Sequence, residues 1–208
     1  MPALPVVVLG AGGHGKVVAD ILTEMGRRPV GFLDPKKPAG TTVLGLPVLG
    51  DDDWLLANQV EVALGMGDNA MRERLALRAL ERGTPLATAV HPRAVVARSA
   101  TIADGVVIAA LAVVNPDASV ERGAIINTGA IVEHDCIIGE FAHLATNATT
   151  GGACRIGRLS LLGSGATMLP ETVVGDETRV GAHALVTRDL PAHATARGVP
   201  ARLTARRD

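Results

Sequence analysis

Apolar residues recur along this chain in two rhythms. From Val90 to Val186 every sixth residue is aliphatic, with the single exception of Thr150. Ile102, Ile108, Val114, Val120, Ile126 and Val132 illustrate the run, and no insertion shifts the count. Four residues after each aliphatic position usually stands a small one, as at Ala112, Ala118, Ala124, Ala130, Cys136 and Ala142. A fixed short period of this kind marks a parallel β-helix, in which like positions stack over one another. One aliphatic knob and one small filler per hexad point inward, while backbone groups pair along the stack. A β-sandwich, whose strands are spaced less regularly, does not keep this period.

Before the hexads the rhythm is that of an α/β unit. Val6-Val7-Val8-Leu9 reads as a buried strand. Gly10-Ala11-Gly12-Gly13-His14-Gly15 follows, then a helix over about 15–25 with Val17, Val18, Ile21, Leu22 and Met25 on one face. Gly26 ends that helix, and Val30-Gly31-Phe32-Leu33 forms a second strand running into Asp34. Further strands are predicted over 43–48, 60–64 and 86–89, with helices near 52–57 and 69–82. The chain thus divides into a Rossmann-like α/β domain over 1–88 and an all-β helix with a C-terminal tail over 89–208.

The glycine string has the G-x-G-x-x-G form, with an acid about 20 residues further on. Such glycines let a backbone approach a phosphate at a helix N-terminus, and Asp34 stands where a ribose hydroxyl is gripped. A dinucleotide fold needs two mononucleotide halves, and the roughly 85 residues before the hexads hold little more than one. A single nucleotide, such as a nucleoside diphosphate-sugar, fits better than NAD; a purely structural tight turn is the alternative. Gly67-Asp68-Asn69 lies at the carboxyl edge of the same sheet, where ligands bind. Asp68 or Asn69 also reads as a helix cap, and Arg72 as a phosphate contact or a surface residue.

Composition narrows the partners. The 208 residues include one Trp, two Phe and no Tyr. Modules that stack single-stranded nucleic acid on aromatic platforms are therefore excluded. The formal net charge of -1 offers no basic field for phosphate backbones or anionic membranes. No run approaches a membrane span, and Met1-Pro2-Ala3-Leu4-Pro5 lacks the features of a signal peptide. A cytoplasmic location is expected, in keeping with only two cysteines. Cys136 and Cys154 fall at the same inward position one coil apart, as core fillers rather than a nucleophile pair.

Residues one before each knob face outward. Val107, Val113, Ile125, Ile131, Ile137, Leu161 and Leu185 make that surface an apolar stripe, which implies a partner. One hexad breaks the mild composition: Glu133-His134-Asp135 projects three polar groups between inward Val132 and Cys136. A histidine beside carboxylates is oriented by one of them and becomes more basic. A solvated polar turn is the plain alternative. His143 follows half a coil on, and Asn127 lies in the preceding hexad.

Taken in order, Gly10–Gly15, Phe32-Leu33-Asp34, Ile126-Asn127-Thr128, the string Glu133–His143 and Gly198-Val199-Pro200-Ala201-Arg202 resemble the nucleotide-sugar N-acetyltransferases that modify amino-sugars. Sialic acid O-acetyltransferases are close relatives of that family. The resemblance spans nearly the whole chain. It implies a left-handed parallel β-helix, acetyl-CoA as co-substrate, no metal, and a homotrimer with prisms side by side. It also assigns positions. His134 matches the catalytic base and Asp135 the residue that tunes it, where the family has Glu; Glu133 is the other candidate. His143 matches the contact to the thioester end of acetyl-CoA, and Asn127 a polar group beside it. Gly152, Ser164 and Ala182 match acetyl-CoA contacts, and Arg202 lies where the CoA tail is handled. Gly12, Gly13, His14 and Asp34 match the sugar-nucleotide site, to which Gly67 and Asn69 are added; Pro35 replaces a second acid of the family.

The implied reaction is direct acetyl transfer to a sugar amine, with His134 taking the proton. A backbone N–H of a coil turn or His143 supplies the oxyanion donor. Cys136 points inward and forms no acyl intermediate. A convex prism offers no cleft, so the site is expected between two prisms. O-acetylation of sialic acid or another sugar is the alternative. A zinc hydratase of the same fold needs closely spaced histidines, which His134, His143, His183 and His193 do not provide.

Overall fold

The computed structural model describes residues 4–204, so Met1-Pro2-Ala3 and the last four residues of the tail lie outside it. Strand β1 (Val6–Leu9) lies second from the edge of a five-stranded sheet, with β5 (Glu61–Leu64) outside it and β2 (Phe32–Leu33) on its other side. The sheet continues through β4 (Leu46–Gly50) to β3 (Thr42–Val43). Only the β3–β4 pair is antiparallel. Helix α1 (Gly13–Glu24) covers one face, helix α2 (Asn69–Glu81) the other, and a single 3-10 segment (Asp52–Ala57) links β4 to β5.

Several boundaries differ from those the sequence predicts. The strand expected over 43–48 is a hairpin, because Leu44 and Gly45 both take positive φ (49° and 74°), the pair of angles a type I′ turn requires. The strand expected over 86–89 splits. Leu86 makes one bridge to Val62, and Ala89–Val90 already belongs to the β-helix. Of 30–33 only Phe32–Leu33 pairs as strand. Helix α1 starts inside the glycine loop at Gly13, and Val17 is exposed rather than on the buried face with Val18, Ile21 and Leu22.

From Ala89 the chain coils into a three-sided left-handed parallel β-helix. The first face stacks two-residue strands from Ala89–Val90 and Val107–Ile108 through Ile125–Ile126 and His143–Leu144 to Arg179–Val180. The second runs from Val95–Val96 through Ile131–Val132 to Leu185–Val186, and the third from Thr101–Ile102 through Ile137–Ile138 to Val173–Val174. Register partners such as Val113 and Ile131 lie one coil apart. Val114, Ile126, Ile138, Leu144 and Ile156, with the alanines four residues after each knob, fill the interior. Each edge turns through a residue in the left-handed region, among them Asp117, Asp135, Phe141 and Asn147 at φ 54–60°. An L-residue there costs roughly 1–2 kcal/mol, least for Asp and Asn. Thr195–Arg197 joins the first face, and Arg202–Thr204 folds back on it antiparallel.

The apolar stripe resolves into different uses. Val107 and Ile125, both fully buried, pack under the α/β unit against Val6, Val8, Val18 and Ile21. Burial of each contributes roughly 1.5–3 kcal/mol to docking the unit on the first face. Phe141, on an edge of the prism, is buried on the other side of the sheet with Leu9, Leu64 and Leu159. It covers Gly123, whose φ of 65° and lack of a Cβ both serve the contact. Val113, Ile131 and Leu185 belong to the second face and are half-buried, while Val95 above them is 63% exposed.

Candidate active site

Glu133-His134-Asp135-Cys136 rounds the edge between the second and third faces. Asp135 takes φ 59°, which turns its carboxylate back toward the preceding ring. His134 Nδ1 lies 2.7 Å from Asp135 Oδ2. A carboxylate only accepts, so Nδ1 carries the proton and Nε2 keeps its lone pair free. The hydrogen bond to Asp135, helped by the charges of Asp135 and Glu133, raises the pKa of the exposed ring above the usual histidine value. Glu133 takes a different part: its carboxylate accepts from the His134 backbone N–H at 3.3 Å. Of the two candidate carboxylates, Asp135 is therefore the one on the ring.

One coil below, Gly152 forms the floor under the imidazole. A Cβ there would stand 2.6 Å from His134 Cε1 and Nε2. The Gly152 N–H donates to no group among the described residues. Cys136 and Cys154 are buried and free, and Cys136 Sγ donates to the Gly151 carbonyl. Contact with Cys154 and burial hold the Cys136 thiol well above the usual range, leaving it protonated.

A second cluster forms where the α/β unit meets the first face. His143 Nε2 lies 3.1 Å from Asn127 Nδ2. The His14 ring lies 6.4 Å from that of His143, centroid to centroid. His14 Nε2 is buried without a partner among the described residues. Burial pushes His14 down to about 4 and His143 to about 3, with Arg72 adding to both, so both rings are neutral at physiological pH. Arg72 is neither a phosphate contact nor a surface residue. It is wholly buried, and its guanidinium donates to the carbonyls of Gly123 (2.7 Å) and Phe141 (2.7 Å) on the prism, and to Met66 (3.1 Å) and Gly67 (3.3 Å) on the α/β unit. Asn69 works alongside it: Oδ1 accepts from Arg72, and Nδ2 donates to the Leu159 and Ser160 carbonyls. Asp68 is the helix cap, accepting from Met71 N–H at 2.8 Å.

The glycine loop divides by role. Gly10 has φ 92°, and a Cβ on Gly15 would overlap the Gly10 carbonyl oxygen, so both are demanded by the turn and by helix–strand packing. Gly12 and Gly13 have negative or extended backbone and nothing within 4 Å of a would-be Cβ. Their small size leaves open space at the N-terminus of α1, the setting that favours a phosphate. Asp34 clamps this loop: Oδ2 accepts from Ala11 N–H and Oδ1 from Lys36 N–H, both at 2.9 Å.

Along the first face below His143, small residues leave a groove of about 530 Å³. Ser164 and Ala182 line it, together with Ala145, Gly163, Arg179 and Arg197. A smaller hollow beside it is shared by Gly67, Asn69, His143, Glu177 and Arg179. Arg202 stands opposite Arg197 in the terminal hairpin, its Nη1 on its own backbone neighbour Ala201. The sequence reading missed Arg179, Arg197 and Glu177. For Arg179 the signal available was its place on the hexads, as the outward residue just before the knob Val180; Arg197 lies beyond the hexad run.

One chain therefore gathers the predicted residues into two groups. His14, Gly67, Asn69, Asn127 and His143 meet at the junction, continuous with the groove, and Gly12 and Gly13 directly precede His14 at the start of α1. His134, Asp135 and Gly152 lie on another edge of the prism, between its second and third faces.

The model of the PglD N-terminal domain matches residues 5–79. A perosamine N-acetyltransferase from Caulobacter crescentus, solved with CoA and GDP-perosamine, is 37% identical over 97% of both chains, with a TM-score of 0.94. The acetyltransferase domain of PglB from Neisseria gonorrhoeae, solved with acetyl coenzyme A, is 36% identical over 97% of this chain and 100% of that one, with a TM-score of 0.93. UDP-N-acetylbacillosamine N-acetyltransferase of Bacillus subtilis is 34% identical over 110 residues, a match spanning 50% of this chain and 51% of that protein. With this likeness running end to end through both the α/β unit and the hexads, the chain belongs to the family of nucleotide-sugar N-acetyltransferases built on a hexapeptide β-helix.

Proposed function

We propose that the chain transfers the acetyl group of acetyl-CoA to an amino group of a nucleotide-linked amino-sugar. The observation that carries this reading is the His134–Asp135 pair, with Nε2 free above the open Gly152 backbone. The sugar amine attacks the thioester carbonyl and gives its proton to His134 Nε2, and Asp135 stabilises the imidazolium. The Gly152 N–H, which has no acceptor among the described residues, is the donor for the developing oxyanion. Coenzyme A leaves as the thiolate, so no strong general acid is needed. Two relatives' structures, with CoA and GDP-perosamine and with acetyl coenzyme A, support the substrate pair.

The CoA chain lies in the groove lined by Ser164 and Ala182, with the thioester end at His143 and Asn127. Arg179, Arg197 and Arg202 supply positive charge at its far end. The nucleotide diphosphate sits at Gly12 and Gly13, next to His14 and Asp34. The protein acts as a homotrimer in the cytoplasm, and the two groups of site residues meet across neighbouring subunits. The separation of those groups within one chain and the apolar second face at Val95, Val113 and Ile131 support this assembly. The domain division at residues 88 and 89 separates nucleotide binding from acetyl transfer.

The test is His134→Ala. Turnover with acetyl-CoA and nucleotide-linked amino-sugars falls by at least ~10²-fold, within the range general-base removal gives. Trimer mass by light scattering and acetyl-CoA binding by calorimetry are retained. Near-normal turnover in this variant would sink the mechanism, and an acetylated hydroxyl in the product would turn the reading to O-acetylation.

A further inference from the structure

The hexad run has one polar knob, and the ladder has one irregular rung beside it. In the neighbouring hexads the residue after each knob donates its N–H to the knob carbonyl one coil on. Asn115 donates to Val132, Asn127 to Leu144, Gly139 to Ile156 and Ala145 to Leu162, all at 2.8–3.0 Å. Glu133 instead donates to the Thr150 side chain, Oγ1, at 3.0 Å. Strand pairing agrees: Ile131 pairs with Thr149, but the next pair, Val132 with Thr150, is missing. Equivalent steps above and below, Val114 with Val132 and Thr150 with Met168, are intact.

Thr150 is wholly buried in the aliphatic interior, and its hydroxyl also lies 3.4 Å from Cys136 Sγ. Glu133 and Cys136 bracket the turn that presents His134 and Asp135. The hydroxyl therefore holds both ends of the turn from inside the prism. Gly151-Gly152 follow Thr150 directly, so the same residue leads into the floor under the His134 ring. A valine here would obey the rule of every other hexad and let Glu133 return to an ordinary carbonyl rung. The polar knob has no packing reason to exist.

We infer that Thr150 is a positioning residue, whose buried hydroxyl displaces the Glu133 rung and thereby sets the His134–Asp135 pair over Gly152. This rests on the reading of His134 as the base. Two variants test it, each scored for folding, turnover and the His134 ring titration followed by NMR, with His134→Ala used to assign the signal. Thr150→Val keeps a thermal midpoint equal to or above that of the parent, loses at least tenfold in kcat with KM for acetyl-CoA unchanged, and shifts the His134 midpoint downward as the contact with Asp135 loosens. Thr150→Ser keeps the hydroxyl and retains kcat and titration within about twofold. A folded Thr150→Val chain with parental titration and kcat overturns the inference. So does Thr150→Ser failing as badly as Thr150→Val, or Thr150→Val failing to fold, because each makes the residue a packing element. The ring titration is read without turnover, so a failure of the acetyltransferase reading shows up separately, as a parent protein with an ordinary His134–Asp135 pair and no acetyl transfer.

Discussion

Gly152→Ala separates catalysis from stability at one atom. The added Cβ would stand 2.6 Å from His134 Cε1 and Nε2. Carbon atoms settle near 3.5–4.0 Å, so ring and methyl must part by about 1 Å. The floor is ladder backbone, whereas the His134 side chain is 60% exposed. The ring moves and the floor does not. Gly152 has no positive φ, so alanine adds no backbone strain. Stability should change by no more than about 0.5 kcal/mol, as for surface substitutions. A 1 Å misplacement of a reacting group costs on the order of 10²-fold in rate. The assay is CoA release, followed with a thiol reagent, together with urea unfolding of the same preparation. Gly151→Ala is the matched control. Its Cβ would meet the Pro170 backbone nitrogen at 2.5 Å, which cannot swing away, so overpacking costs about 1–3 kcal/mol. Parental kcat in Gly152→Ala, or a stability loss equal to that of Gly151→Ala, would refute the placement of the base.

With His134 as the proposed base, the neutral ring is the active form and its pKa is raised, so kcat/KM falls on the acid side beginning above the usual histidine value; Asp135→Asn removes the acceptor charge and moves that limb to lower pH in a pH–rate profile. His14 and His143 are held neutral with pKa near 4 and 3, whereas the unfolded chain protonates them around the usual 6.5. Between those values the unfolded state binds more protons, so stability falls as pH drops from about 6.5 toward 4, and His143→Gln makes the thermal midpoint less pH-dependent over that window. Arg72→Ala leaves buried carbonyls at Gly123 and Phe141 unpaired at about 1–3 kcal/mol each, so denaturant unfolding should show a loss of about 3–5 kcal/mol. An Arg72→Ala chain as stable as the parent would contradict its role in joining the α/β unit to the prism.

What the sequence disclosed follows from which forces are local. The prism is a nearest-neighbour object: every inward position repeats the same demand, so the hexad run and the inward cysteines were legible residue by residue. The glycine loop was legible for the same reason, since Gly10 and Gly15 answer requirements set within a few residues. Docking of the α/β unit was not. Val107 and Ile125 look like Val113 and Ile131 in the repeat, and only the tertiary contact with Val8 and Ile21 tells them apart. Arg72 carries no local sign that its partners lie on the prism at Gly123 and Phe141. The hairpin at Leu44-Gly45 was missed because Leu does not advertise positive φ. At the candidate site, the Glu133-His134-Asp135 string pointed to a histidine held by a neighbouring carboxylate, but the choice of Asp135 over Glu133 needed the left-handed backbone that aims the carboxylate.

The unbroken count of six also governs how this chain can change in length. His134 and Gly152 meet only because they are separated by one full coil. A single residue gained or lost between them would rotate every later knob out of the interior and carry the floor away from the base. Gain or loss of a whole coil elsewhere in the prism preserves every inward position. Length variation in the β-helix is therefore quantised in coils, while the surface loops of the α/β unit can lengthen residue by residue.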